Sequence, residues 1–208
     1  MPTVTQMSDQ ALLALVVGSS NVAENLLEEN RSLTNLLCAS SYSDECYRVA
    51  EPASPSGWSD AHLKLNAARE LVRRGLEEGL QARDCFSSPG AVRDYLRTAI
   101  APLQHEVFYV LYLDTQHRLI AAREEFRGTL TQTPVYPREI VKRALSYNTC
   151  SCVVLAHNHP SCVGEPSHAD KVLTQQLKSA LALVDIRVLD HFIVAGPRVT
   201  SMAELGLI

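Results

Sequence analysis

The sequence predicts an α/β (mixed α+β) protein: a small all-helical N-terminal domain, residues 1–85, followed by a domain of strands and helices, residues 86–208. Three observations point there. Up to position 85 the apolar residues recur at helical spacing. Beyond position 86, runs rich in Val, Ile, Leu, Phe and Tyr at 106–113, 152–156 and 186–195 alternate with helical patterns. The 208 residues are 46% apolar and 20% charged, enough for one good core or for a small domain beside a larger one.

In chain order, Ser8 is placed to cap a helix through Leu12, Leu13 and Val16, which Gly18 ends. Val22 to Leu27 and Ser32 to Leu37 repeat the pattern in two shorter stretches. Residues 51–60 (EPASPSGWSD) form a Pro/Ser loop. Asp60 then caps a helix carrying Leu63, Ala67, Ala68, Leu71 and Val72. The stretch CFSSPG at 85–90 breaks periodicity and marks the domain boundary. Val92 to Ala99 reads as a helix. Glu106 opens a strand running to Leu113, Asp114 to His117 turn, and Leu119 to Ala122 pair back as a hairpin. Pro137 starts a helix with Ile140, Val141, Ala144 and Leu145 facing one side. Cys152 to Ala156 is a nearly continuous apolar strand, of the kind buried on both faces. A polar loop from His157 to Pro166 leads to a helix from Ser167 to about Leu183, and Ile186 to Ala195 forms a further strand.

Composition narrows the function classes. The longest apolar runs, Ala11–Val17 and Val107–Leu113, are seven residues each, against about 20 for a membrane-spanning helix. The first ten residues contain no Lys or Arg, so a secretory leader is not expected and a cytoplasmic location is. The six cysteines form no Cys-x-x-Cys pair and read as reduced thiols. Net charge is −4 overall; residues 1–85 carry 7 basic and 12 acidic side chains, and residues 86–208 carry 12 and 11. Neither half has the basic excess that nucleic-acid binding draws on, so such binding is expected to be weak or absent. No membrane partner is expected, and an oligomer is possible.

The chemistry concentrates after the strand at 152–156. In an extended chain alternate residues face one side, so His157 and His159 present both imidazoles to one point. Asp170 follows in the first turn of the next helix. Two histidines and a carboxylate with an open fourth position are the ligand pattern of a catalytic zinc site.

The string His157-x-His159-Pro160-x6-Ser167-x-x-Asp170 resembles the JAMM (MPN+) metallopeptidase motif. The fuller set HNHPS…PSHAD, with GTL at 128–130, PREI at 137–140 and LDHFIVAG at 189–196, is similar to the bacterial RadC family across 86–208. The resemblance implies a JAMM/MPN-like domain with a mixed sheet flanked by helices. It implies one zinc (Zn2+) per chain, held by His157, His159 and Asp170. It further implies that Glu106 is the general base and acid acting through the metal's water, and that Ser167 donates to the tetrahedral oxyanion. The implied activity is hydrolysis of a peptide or isopeptide amide in a protein or peptide substrate. The family's name also suggests a DNA-repair accessory or DNA-binding module, and loss of activity would leave an inactive scaffold.

Each residue has a plainer reading beside this one. Ser167 and Asp170 also spell a helix capping box. His105 is read as surface and His168 as solvated. His191 is read as hydrogen-bonding within the sheet, and Arg138 with Glu139 as a local ion pair. Two departures from the family stand out. Cys162 follows HNHPS where RadC-like proteins usually have Gly. Gly164 is expected to take the turn instead, and a thiol in that loop is a conceivable fourth ligand. RadC-like proteins also carry an N-terminal helix-hairpin-helix-like domain, whose Gly-x-Gly turn presents N–H groups to phosphate. Here the stretch Pro55-Ser56-Gly57-Trp58-Ser59-Asp60 has one glycine and an acid, so residues 1–85 are read as a degenerate form.

Overall fold

A computed structural model describes residues 7–30, 36, 58–85, 87–128 and 135–208. By compactness the chain divides into Met1–Val72 and Arg73–Ile208.

The first unit is helical. Helix α1 (Asp9–Val17) begins where Ser8 Oγ accepts from the Ala11 N–H at 3.2 Å and ends at Gly18, whose φ of 82° closes the left-handed cap. It is followed by α2 (Ser20–Asn30) and by α3 (Trp58–Ala82), whose last turns belong to the second unit. Leu13, Val17, Ala23, Leu26, Leu36 and Ala61 form its buried cluster. Asp60 does not cap α3. The helix begins two residues earlier, so Asp60 lies in its first turn and pairs with Lys64 at 2.7 Å. Most of the 32–37 pattern and the loop at 51–57 lie outside the described residues.

The second unit runs α4 (Pro89–Ile100), β1 (Val107–Leu113), β2 (Leu119–Arg127), α5 (Pro137–Ser146), β3 (Cys152–Asn158), α6 (His168–Ala182), β4 (Arg187–Ala195) and β5 (Arg198–Ser201). The strands form one mixed sheet in the order β2-β1-β3-β4-β5, with β3–β4 parallel and the other neighbours antiparallel. β3 lies in the middle and is buried throughout, as its apolar run predicts. Its side chains alternate between two cores. Cys152, Val154 and Ala156 pack with Val92, Tyr95, Leu96 and Ile100 of α4. Val153 and Leu155 pack with Ile140 and Ala144 of α5 and with Leu177 and Leu181 of α6.

Two strand ends and one additional strand differ from expectation. β3 continues for two residues, because His157 pairs with Phe108 and Ile193, and Asn158 with Val194. β2 runs on to Arg127, where pairing with β1 outweighs its charged sequence. The unexpected β5 folds back on β4 across Gly196, whose φ is 58°. Among the described residues no helix is long and apolar enough to cross a membrane.

A parallel pair needs a crossover. Helix α6 is that crossover, so its N-terminus arrives at the C-terminal end of β3, the usual place for sites in open α/β sheets. Leu177 anchors α6 and is fully buried. Leu177→Ala should therefore lower the unfolding free energy by about 2–5 kcal/mol in a urea titration. A loss under about 1 kcal/mol would contradict this packing.

Candidate metal centre

His157 and His159 leave the end of β3 on the same side, and their Nε2 atoms stand 2.8 Å apart. His159 Nδ1 lies 2.6 Å from the Val163 carbonyl oxygen. A carbonyl only accepts, so Nδ1 carries the proton and the His159 Nε2 lone pair points inward. The turn that brings Val163 back is closed by Cys162, whose N–H donates to the His159 carbonyl at 3.0 Å. Cys162 itself holds a left-handed φ of 59°. Gly164 does not take that conformation for it. Gly164 is instead confined by space: a Cβ there would lie 2.9 Å from Arg198 Cδ. The Cys162 thiol is directed to the Pro160 carbonyl at 3.8 Å and packs near Gly196. It is not among the clustered ligand atoms.

Asp170 approaches from the first turn of α6. Ser167 Oγ accepts from the Asp170 N–H at 3.1 Å, and the Ser167 N–H donates to Asp170 Oδ2 at 2.7 Å, completing the capping box. That box aims the carboxylate: Oδ1 is 3.2 Å from His157 Nε2 and Oδ2 is 3.7 Å from His159 Nε2. Burial works against the charge. The hydrogen bond and charge of His157, with the Ser167 donors, outweigh it and hold the carboxyl well below the usual carboxylate range. Ser167 is exposed, and its Oγ accepts from the Asp170 N–H.

Glu106 directly precedes β1, and its ligand atom lies with those of His157 and His159 in a cluster no more than 4.8 Å across. Its backbone is clamped on both sides by Asn158, which alternation turns away from the histidines. Asn158 Oδ1 accepts from the Val107 N–H at 2.8 Å. Its Nδ2 donates to the carbonyls of Leu103 and His105 at 3.1 and 3.0 Å. The Gly128 N–H holds the Glu106 carbonyl at 2.8 Å.

Behind His157 lies a second polar layer. His191 is fully buried, with Nε2 2.8 Å from His157 Nδ1 and Nδ1 2.6 Å from Thr174 Oγ1. Burial, helped by the adjacent His157, pushes the His191 pKa well down and keeps the ring neutral. Phe108 closes this side, stacked on His157 and edge-on to His191.

His191 bonds within the sheet, as expected, and its partner there is His157 on the neighbouring strand β3, so that it reaches the back of a candidate ligand. His105 is half-buried, not surface, and its enclosed Nε2 has no hydrogen-bond partner among the described residues. Arg138 and Glu139 do form their local ion pair, at 3.0 Å. Sequence reasoning missed Asn158 and Thr174. Parity in β3 points Asn158 away from the histidines, and the four-residue step from Asp170 puts Thr174 on the same helix face.

Two imidazole nitrogens and a carboxylate converge at the mouth of β3, and His159 has its lone pair fixed inward. This donor set fits a divalent cation such as zinc. A family model for the RadC-like JAB domain matches residues 86–207. The chain belongs to the RadC-like JAB domain family. A UPF0758 protein of Polaromonas sp. is 49% identical over 206 residues, covering 97% of this chain and 90% of the relative. UPF0758 proteins of Leptothrix cholodnii and Aromatoleum aromaticum are 49% and 52% identical, with the same coverage. The RadC-like match spans every residue of the cluster, from Glu106 to His191.

Asp170 has a folded pKa below its unfolded value of about 3.9. Its contribution is therefore complete above that value and disappears as pH falls towards the folded pKa, where the unfolded chain binds the extra proton. In metal-free protein, Asp170→Asn should be less stable than wild type at pH 6, with the gap narrowing below about pH 4; a gap that widens in acid would contradict the assignment. Cys162→Gly relieves a left-handed non-glycine residue. It should raise the urea midpoint by the equivalent of about 0.5–1 kcal/mol, and a lower midpoint would show the thiol's contacts to matter more than the backbone.

Proposed function

We propose that the chain is a zinc-dependent hydrolase of the JAMM type that cleaves a peptide or isopeptide amide. One observation carries the reading: the two imidazoles, the Asp170 carboxylate and Glu106 meet at one strand end, although they come from three separate segments. His157, His159 and Asp170 would hold the metal, and three protein ligands leave a fourth position open. Bound zinc supplies a Lewis acid that polarises the amide carbonyl and acidifies a water.

The chain's residues supply the rest. Asp170 remains a carboxylate at neutral pH, for the reasons of charge and hydrogen bonding given above. Glu106 is placed to take a proton from the attacking water and to return it to the departing amine. The Asn158 clamp holds its backbone for that work. The exposed Ser167 hydroxyl would turn its hydrogen to the carbonyl oxygen as negative charge develops there. Membership of the RadC-like JAB family supports the reading, since its domain type is that of the JAMM motif.

Elemental analysis of protein purified without chelators should find about one zinc per chain in wild type and less than about a tenth of that in His159→Ala. Glu106→Gln should keep the zinc and the unfolding midpoint. It should lose at least about 100-fold in cleavage of a randomised fluorogenic peptide library and of a lysine-linked isopeptide. Equal zinc in wild type and His159→Ala would overturn the ligand set. Full activity, or metal loss, in Glu106→Gln would overturn the role of the glutamate.

A further inference from the structure

The register of the sheet carries the face of His157 across to an arginine that the centre does not use. His157 pairs with Ile193 of β4, and Ile193 pairs with Thr200 of β5. Residues opposite one another share a face of the sheet, and so do residues two apart on one strand. Thr200 and Arg198 therefore lie on the face that carries His157. Arg198 opens β5 at the end of the sheet where β3 and β4 both terminate. β5 is two strands from β3, a lateral step of about 10 Å.

The stem of Arg198 lies against the loop that carries His159. Gly164 of that loop is buried in a notch formed by Ala195, Arg198 and Thr200. A Cβ at position 164 would come within 2.9 Å of Arg198 Cδ and 3.3 Å of Thr200 Oγ1. The residue before it, Val163, is the one whose carbonyl oxygen lies against His159 Nδ1. The guanidinium, by contrast, is left over. Arg93, Arg118, Arg127, Arg138 and Arg143 are each ion-paired with a carboxylate of the chain. Arg198 is exposed and has neither an ion pair nor a side-chain hydrogen bond among the described residues; Glu165, next to Gly164, does not pair with it.

We infer that Arg198 is a specificity-determining residue that binds a carboxylate of the substrate, so that the centre selects acidic peptides. The inference rests on the proposal that the site cleaves an amide. A guanidinium stays charged and offers a planar fork of donors that matches a carboxylate. Its stem is already laid against the loop, so less side-chain freedom is lost on binding. Three residues of extended peptide span about 10 Å. An acid within three residues of the scissile amide therefore reaches from the centre to Arg198. That carboxylate belongs to an Asp or Glu side chain or to the C-terminus of the peptide. A residue that only braced the loop would act through its stem, and its charge would not matter. Arg187, exposed and without an ion pair at the opposite end of β4, serves as the control.

Three internally quenched peptide mixtures test the inference on the full, zinc-loaded chain. The first carries Asp or Glu within three residues of the central amide and has an amidated C-terminus. The second has Asn or Gln in place of the acid. The third is the second with a free C-terminal carboxylate within three residues of that amide. Wild type should favour the first or the third over the second by at least about 10-fold in kcat/KM, and the favoured one identifies the carboxylate. Arg198→Gln should lose about 10–100-fold on that mixture, mainly through KM, and less than about 3-fold on the second. Arg198→Lys should keep part of the preference and Arg187→Gln all of it. Should Arg198→Gln not fold, Arg198→Met, which keeps the stem, carries the same expectations. Fluorescence anisotropy of the favoured peptides on zinc-loaded Glu106→Gln should show the same weakening when Arg198→Gln is added. No preference in wild type, or equal losses on charged and neutral mixtures, would overturn the inference. If no mixture is cleaved, the hydrolase reading fails, and the anisotropy comparison still decides the role of Arg198.

Discussion

Side-chain alternation along β3 is the constraint on which the rest of the site depends. Cys152, Val154 and Ala156 enter the core under α4, and Val153 and Leu155 enter the core under α5 and α6. The same parity carries His157 to the α6 side and Asn158 to the α4 side. A slip of one residue would exchange both cores at once, so burial on two faces fixes the register strongly. The candidate site depends on this rigidity. His157 is presented to the helix that brings Asp170, and Asn158 to the segment that brings Glu106, from adjacent positions of one strand.

The second constraint is the parallel pairing of β3 with β4, which makes α6 a crossover helix and sets its N-terminus over the end of β3. An acid at that helix end is favoured locally by the capping box and the helix dipole. Local stability and site geometry therefore agree at Ser167 and Asp170. They disagree elsewhere. Cys162 holds a left-handed backbone without being glycine, and the imidazole edges of His157 and His159 face each other across 2.8 Å. Such local conflicts collect where a ligand is to be held. The polar groups behind the site show no such conflict: Asn158, Thr174 and His191 are all buried and all hydrogen-bonded.

Much of this was legible in the sequence because it rests on short-range rules. The apolar run at 152–156 announced a two-sided strand, and the His-x-His spacing announced a shared face. Ser167 and Asp170 announced a helix start. Resemblance supplied what spacing did not, namely Glu106, which lies 51 residues before His157 in the chain. The remainder depends on contacts between distant segments. Nothing near Asn158 says that it will clamp residues 103–107, and His191 gains its role only when β4 lies beside β3. β5 was missed because four residues, Arg198 to Ser201, gain their strand form from pairing with β4 rather than from their own pattern. The left-handed residue is Cys162, where the N–H bond to the His159 carbonyl closes the turn, and Gly164 packs close to the Arg198 side chain.

The central claim is a metal centre built from two imidazoles and oxygen donors, with the cysteine loop outside it. X-ray absorption at the zinc edge of the metal-loaded protein tests that claim most directly. The account predicts a first shell of nitrogen and oxygen only, at about 2.0–2.2 Å, with the multiple-scattering signature of two imidazoles. A sulfur scatterer at about 2.3 Å, or a shell without imidazole, would contradict it.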